Sequence, residues 1–437
     1  MIVLNWTIIF CLLVLTAISS ILVIGDAHAF SSETGFDVGA APAVQGSRPP
    51  KGGVRLATAP SLPLMAPMRW DDEEGAYMVS LTVGLGSVEL VLDTGSSQLS
   101  VKGNGCQWRQ CDGQGCSLVS CPCGQDVDGN VRTDCSNHYY QPSGARIQPG
   151  ELGAGMNTVM TYGSQVDTIE HYMDTVSLHL APSNMTCKDL LSRVPPSSTK
   201  SSPATSQRPV IVHRVLHIDG SSSSNLLGLS RPNKGTVEHG SKVLLDALLG
   251  GSKVWGVVLM GDSGWLVFGA LPCFASPPHY IPLVQPREFS GFLTSFYIVE
   301  VESVWVGPDA SNLRAIASPP RWCIVDTGTT FTYGSPSFGA SLDAAGYVES
   351  GSVLRLRLGT KKNPPVELTY TPQQLADPDF PQHSIIQAWR GRTLDDYDSI
   401  FPPGAGGVIL LGALMMNNHY WEFDLGKQRV GVTPVLV

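Results

Sequence analysis

From Tyr77 onward, apolar and polar residues alternate in short runs broken by glycine, the period-two pattern of half-buried strands. Tyr77–Gly84 and Val88–Leu92 predict a hairpin. Further runs at 158–162, 172–180, 210–218, 254–260, 264–269, 296–306, 322–326, 353–358, 408–411, 419–424 and 429–433 predict an all-β body. Two segments read as helical. Lys242–Leu249 puts Val243, Leu244, Ala247 and Leu248 on one face, and Ser337–Ala345 follows a proline, as helix starts do. Residues 30–75 lack periodicity and read as a propeptide or linker, and 191–209, rich in Ser, Pro and Thr, as a flexible insertion. Residues 2–24 are almost wholly apolar and precede Ala27-His28-Ala29, so 1–29 reads as a secretory signal peptide or a retained signal anchor. In both readings the body enters the secretory pathway.

Charge and composition narrow the functional classes. The 437 residues carry 28 basic and 37 acidic side chains, a net charge of −9, which offers polyanions no basic field and argues against nucleic acid as a partner. Only 15% of residues are charged, so long helical or coiled-coil architectures are excluded too. Ten cysteines fit an oxidising compartment. One, Cys11, lies in the apolar leader, and six crowd into Cys106, Cys111, Cys116, Cys121, Cys123 and Cys135. That density predicts a disulfide-tied loop at 104–137; a zinc knuckle is the alternative, although no paired C-x₂-C spacing is present. Cys273 is expected to pair with Cys323, with Cys187 left open. Asn184-Met185-Thr186 is an N-glycosylation sequon on an expected surface loop. His171, His213 and His217 share no metal-binding spacing and read as surface or core residues.

One pattern occurs twice. Val91-Leu92-Asp93-Thr94-Gly95-Ser96-Ser97 and Ile324-Val325-Asp326-Thr327-Gly328-Thr329-Thr330 each deliver an aspartate from an apolar strand into a tight turn. Each is followed downstream by an apolar pair and a glycine, Leu226-Leu227-Gly228 and Leu410-Leu411-Gly412. A duplicated two-part pattern implies two related lobes. If a pseudo-twofold axis relates them, Asp93 and Asp326 meet on it, and two carboxylates so close share one proton. The pair then supplies an acid and a base, able to activate water against a carbonyl without metal, cofactor or covalent intermediate. Glycines Gly95 and Gly328 allow close backbone approach, Ser96 and Thr329 are placed to bond the outer carboxylate oxygens, and Thr94 and Thr327 to cross-link the turns.

From Tyr77 to Val437 the chain resembles the pepsin-like (family A1) aspartic endopeptidases. The resemblance rests on both Asp-Thr-Gly motifs, on Ser223–Leu229, Val267–Ala270, Trp421–Asp424 and Arg429–Val432 in family order, and on Thr161–Ser164 with Met173–Val176. It implies a bilobal β fold with the cleft between an N-terminal lobe at 76–272 and a C-terminal lobe at 273–437. It also implies a flap hairpin of Tyr162, Gly163 and Ser164 over a polypeptide substrate, and a monomer made as a secreted or endomembrane zymogen. The cysteine-rich insertion and Ser100 resemble the plasmepsin V-like and nepenthesin-like branches. Departures from the family pattern are Ser100 in place of a tryptophan, a flap lacking its second glycine, and few basic residues (Arg48, Lys51, Arg55, Arg69) in 30–75. Competing readings are a pepsin-fold binding protein without catalysis and an adhesive cysteine-rich module.

Overall fold

Ala76–Val83 and Gly86–Asp93 form the expected hairpin, in register from Met78 opposite Val91 to Val83 opposite Gly86. Alternation decides what each face meets: Leu81, Val83, Val88, Leu90 and Leu92 point into the core and are at most 1% exposed, while Val91 and Asp93 point the other way. The turn needs its glycine. Gly84 has φ +60°, and an added Cβ would stand 2.6 Å from the Gln141 carbonyl oxygen.

This computed structural model describes residues 63–435 apart from 73, 113–114, 122–138, 149–158, 163–164, 182–184, 192–201, 206–209, 220–224, 232–243, 246–247, 250–251, 275, 285–294, 349–350, 361–364, 377–385 and 389–406. The leader, Asn184, Gly163, Ser164, Cys123 and Cys135 therefore lie outside the described residues, as do Val243 and Ala247. The architecture is all-β. Seventeen described strands join into one sheet, and the eight between Ile298 and Leu411 form a second. Helices are short. Pro336–Ala344 starts where expected, its N-cap Ser335 accepting the Phe338 amide at 3.3 Å, and Leu244, Leu245, Leu248 and Leu249 are helical and buried.

Three segments differ from the sequence reading. Within the supposed propeptide or linker 30–75, Leu64–Asp71 is a strand pairing with Ser263–Phe268 and Ala76–Val83. Within the insertion 191–209, Ser202–Thr205 pairs with Val176–Leu180. Inside the cysteine-rich segment, Leu99–Asp112 continues as a strand and folds back on Gly115–Ser120. The two sheets also partition the chain differently from a division at residue 272. His279–Pro282 and the strands His419–Asp424 and Arg429–Pro434 belong to the larger sheet, where His419–Asp424 pairs with Val254–Met260. All described residues fall in one compact unit, Ala59–Val437.

Disulfides tie the larger sheet. Cys106 bonds Cys121 at the base of the cysteine-rich hairpin, with Cα atoms 5.4 Å apart. Cys116, opposite Cys111 in that hairpin, is also disulfide-bonded. The expected Cys273–Cys323 pair does not form: Cys187 bonds Cys273, and Cys323 is a free, buried thiol. Cys323 stands in the middle of the strand Trp322–Val325 at 0% exposure, and burial pushes its thiol pKa up. No helix among the described residues is long and apolar enough to cross a membrane.

Candidate functional site

Each half of the duplicated pattern builds the same local structure. Gly86–Asp93 is flanked in parallel by Leu226–Gly228, with Leu227 opposite Leu92 and Gly228 opposite Asp93. Trp322–Val325 is flanked in parallel by Val408–Leu411, with Leu410 opposite Ile324, and the Asp326 amide donates to the Leu411 carbonyl at 3.0 Å. The apolar-apolar-glycine segments thus lie beside the two aspartate strands. Their glycines have a common reason: a Cβ at Gly228 would strike the Gln98 backbone, and one at Gly412 the Phe331 carbonyl.

The two turns meet and lock. The Thr94 amide donates to Thr327 Oγ1 at 3.1 Å, and the Thr327 amide to Thr94 Oγ1 at 2.9 Å. Each hydroxyl then donates onward into the opposite motif, Thr94 to the Val325 carbonyl at 2.9 Å and Thr327 to the Leu92 carbonyl at 2.8 Å. Both threonines are 0% exposed, so every one of these groups depends on its partner. The exchange is reciprocal, as local twofold symmetry requires.

That lock brings the carboxyl groups together. The Gly95 amide donates to Asp93 Oδ1 at 2.7 Å and the Gly328 amide to Asp326 Oδ1 at 3.1 Å. Across the axis, a Cβ at Gly95 would stand 2.8 Å from Asp326 Oδ1, and one at Gly328 would collide with Asp93 Oδ1. Asp326 and Asp93 share a side-chain hydrogen bond. Burial, the Asp93 charge and that bond push the Asp326 pKa up to about 8, against the lowering pull of the Thr329 hydroxyl and the Gly328 amide. At neutral pH Asp326 therefore keeps a proton beside a second carboxyl group, which places an acid and a base at one point.

The hydroxyls flanking the pair are unequal. Thr329 Oγ1 donates to Asp326 Oδ2 at 2.6 Å as expected. Ser96 does not bond Asp93: its Oγ is buried without a hydrogen-bond partner, turned toward Gly228, where a Cβ would lie 2.8 Å from it. Tyr162 ends the strand Val159–Tyr162 opposite Gln165, and Gly163 and Ser164 between them lie outside the described residues. Ser100 is 2% exposed with an unpartnered Oγ. His171 and His213, which carried no pattern in the sequence, pack against each other on neighbouring strands. Register, which the sequence does not display, is what joins them. Among the described residues no group of three or more His, Cys, Asp or Glu side chains could hold a metal ion. No protein-family model and no curated protein matches the chain.

Proposed function

We propose that the protein is an aspartic endopeptidase of the pepsin-like kind, hydrolysing peptide bonds with water activated between Asp93 and Asp326. The observation that carries this reading is the carboxyl pair that the interlocked turns bring together, with the Asp326 pKa held well above the ordinary aspartate range by burial and by Asp93. Water held between them gives its proton to ionised Asp93 and attacks the peptide carbonyl carbon, while Asp326 donates its proton to the carbonyl oxygen. The tetrahedral gem-diol then collapses: one of its hydroxyls returns a proton to Asp326 as the carbonyl re-forms, the C–N bond breaks, the departing amine takes the proton from Asp93, and the pair returns to its single-proton state. Only protein groups and water take part.

On this reading the two sheets contribute one motif each to a bilobal fold, and the hairpin bearing Tyr162 covers a polypeptide substrate. The described disulfides Cys106–Cys121 and Cys187–Cys273 support a luminal or secreted setting, since such bonds persist in oxidising compartments. The test is a mixed peptide library incubated with the purified protein from pH 3 to 9, with and without a statine-type inhibitor. Inhibitor-sensitive cleavage is expected, absent in Asp93→Asn, with kcat/KM falling as pH rises through about 8, where the proton on Asp326 leaves. Cleavage that survives Asp93→Asn, or none at any pH, refutes the assignment.

A further inference from the structure

Besides the threonine lock, a second route joins the two aspartate turns, and it runs through Tyr297. The Leu229 amide donates to the Asp93 carbonyl at 2.7 Å, and the Leu229 carbonyl accepts from the Tyr297 hydroxyl at 2.8 Å. The Tyr297 carbonyl in turn accepts from the amide of Val325, the residue before Asp326, at 3.0 Å. Thr94 Oγ1, one residue after Asp93, donates to the Val325 carbonyl at 2.9 Å and closes the circuit. Four hydrogen bonds and the Asp93–Thr94 peptide link therefore make one ring. Leu229, Tyr297, Val325 and Thr94 are each 0% exposed, so a bond lost from the ring is not replaced by bulk water.

Leu229 belongs to a cradle beside the Asp93 turn. The amides of Gly228, Leu229 and Ser230 donate in succession to the carbonyls of Gln98, Asp93 and Ser96, at 2.9, 2.7 and 2.8 Å. The same stretch is held from its far side, where the Arg231 amide donates to the Ser295 carbonyl at 2.7 Å and Tyr297 reaches Leu229. Tyr297 immediately precedes Ile298–Gly307 of the second sheet, yet its ring packs among aromatic residues of the larger one. It lies 4.4 Å from Phe423 and 6.1 Å from Trp255 between centroids, and those two rings stack on each other at 4.3 Å. A phenol so enclosed has few rotamers left, which fixes where its hydroxyl stands. Burial pushes the phenol pKa up, so the hydroxyl stays a donor.

We propose that Tyr297 is a positioning residue for the reaction: through Leu229 it fixes the Asp93 turn relative to Asp326. Removing the hydroxyl opens the ring at a link that belongs to neither duplicated segment. The Leu229 carbonyl then stays buried without this donor, and its peptide turns to find another. The amide of the same residue moves with it, and Asp93 shifts away from Asp326. Chemistry slows because the pair is misplaced. The Asp326 proton also leaves at lower pH, because the charge of Asp93 helps to hold it there. A hydroxyl that served the fold alone would cost stability and do neither. The proposal rests on the endopeptidase reading for the reaction, but not for the geometry.

The experiment compares Tyr297→Phe with Tyr77→Phe in the full chain. Tyr77 donates to the Gly261 carbonyl at 2.6 Å, in the turn between Val254–Met260 and Ser263–Phe268, so this control loses the same kind of bond elsewhere. Carbon-13 NMR of aspartate-labelled protein follows the carboxyl titration, with Asp326→Asn identifying the resonance. Expected for Tyr297→Phe is a fall of about half a pH unit or more in the upper titration of the pair, and none for Tyr77→Phe. On a cleavable peptide, kcat of Tyr297→Phe falls at least about tenfold with KM within about twofold of wild type, and the alkaline limb of kcat/KM moves to lower pH. An unmoved titration in folded Tyr297→Phe overturns the proposal, as does an equal shift in Tyr77→Phe or a kcat that does not fall. Absence of cleavage by the wild type at every pH refutes the endopeptidase reading alone, because the titration needs no turnover. If Tyr297→Phe does not fold, Phe423→Leu, which frees one face of the Tyr297 ring, takes its place, and an unmoved titration there overturns the proposal.

Discussion

Asp326→Asn is expected to abolish turnover and to make the protein more stable near neutrality. Folding lifts the Asp326 pKa from about 3.9, the ordinary aspartate value, to about 8 by burial and by Asp93. Between those values the folded protein holds a proton that the unfolded chain has released, so stability falls as pH rises, by about 1.4 kcal/mol per pH unit. The contribution is fully present below about pH 4 and is lost progressively toward pH 8. At pH 7 the wild type has lost about 4 kcal/mol relative to pH 4 through this one group. Asparagine binds no proton and escapes the penalty. Its carbonyl oxygen can still accept from the Gly328 amide, and its side-chain amide, in the place of Oδ2, can donate to the Thr329 hydroxyl. Urea unfolding at pH 4.5, 6 and 7.5 measures the effect. The variant's advantage should be small at the lowest pH and grow by roughly 1 kcal/mol per unit. A difference flat with pH, or a variant less stable at pH 7.5 than wild type, refutes the argument that Asp326 is held protonated by its surroundings.

Three further outcomes are expected. Thr94→Val and Thr327→Val each leave a buried amide and a buried carbonyl in the opposite turn without partners, which should cost about 2–4 kcal/mol of stability in chemical denaturation. Gly328→Ala should lower kcat at least about a hundredfold, because its Cβ displaces Asp93 and small misplacements of reacting groups cost that much; near wild-type kcat would show that the pair tolerates separation. Peptide mapping of the unreduced protein should find Cys187 joined to Cys273, with Cys323 alkylated only after unfolding. Opening that bond removes a closure across a sequence separation of 86 residues, worth at most about 4–5 kcal/mol in the chain-entropy account.

Much of the site was legible because its parts are local. An aspartate at the end of an apolar strand, a glycine two residues on and a hydroxyl after it are all read within seven residues, and the paired copies at Asp93 and Asp326 do come together. What failed were features that need distant partners. Ser96 stands in its motif where Thr329 stands in the other, yet its hydroxyl faces Gly228, and nothing in the sequence separates the two cases. Cys273 pairs with the cysteine of a short helix, Cys187–Leu191, whose Leu190 carbonyl accepts from the Trp265 indole, a contact no spacing reveals. The strand Leu64–Asp71 was hidden by Pro67, which lies opposite Trp265 just before pairing with Ala76–Val83 begins at Met68, so one flank lacks a strand partner there. Three-residue strands such as Thr332–Gly334 and Ile386–Ala388 are too short to show a period and exist through their neighbours.

The placing of His419–Asp424 beside Val254–Met260 has a consequence for how the polypeptide is made. Translation delivers Val254–Met260, then every strand of the second sheet, and only afterwards the partner that covers its open side. During synthesis that apolar segment, Val-Trp-Gly-Val-Val-Leu-Met, presents an unsatisfied ladder on one side to whatever chaperones and other chains surround it. A ribosome stalled anywhere between Ile298 and Leu411 would therefore release a product with a sticky edge.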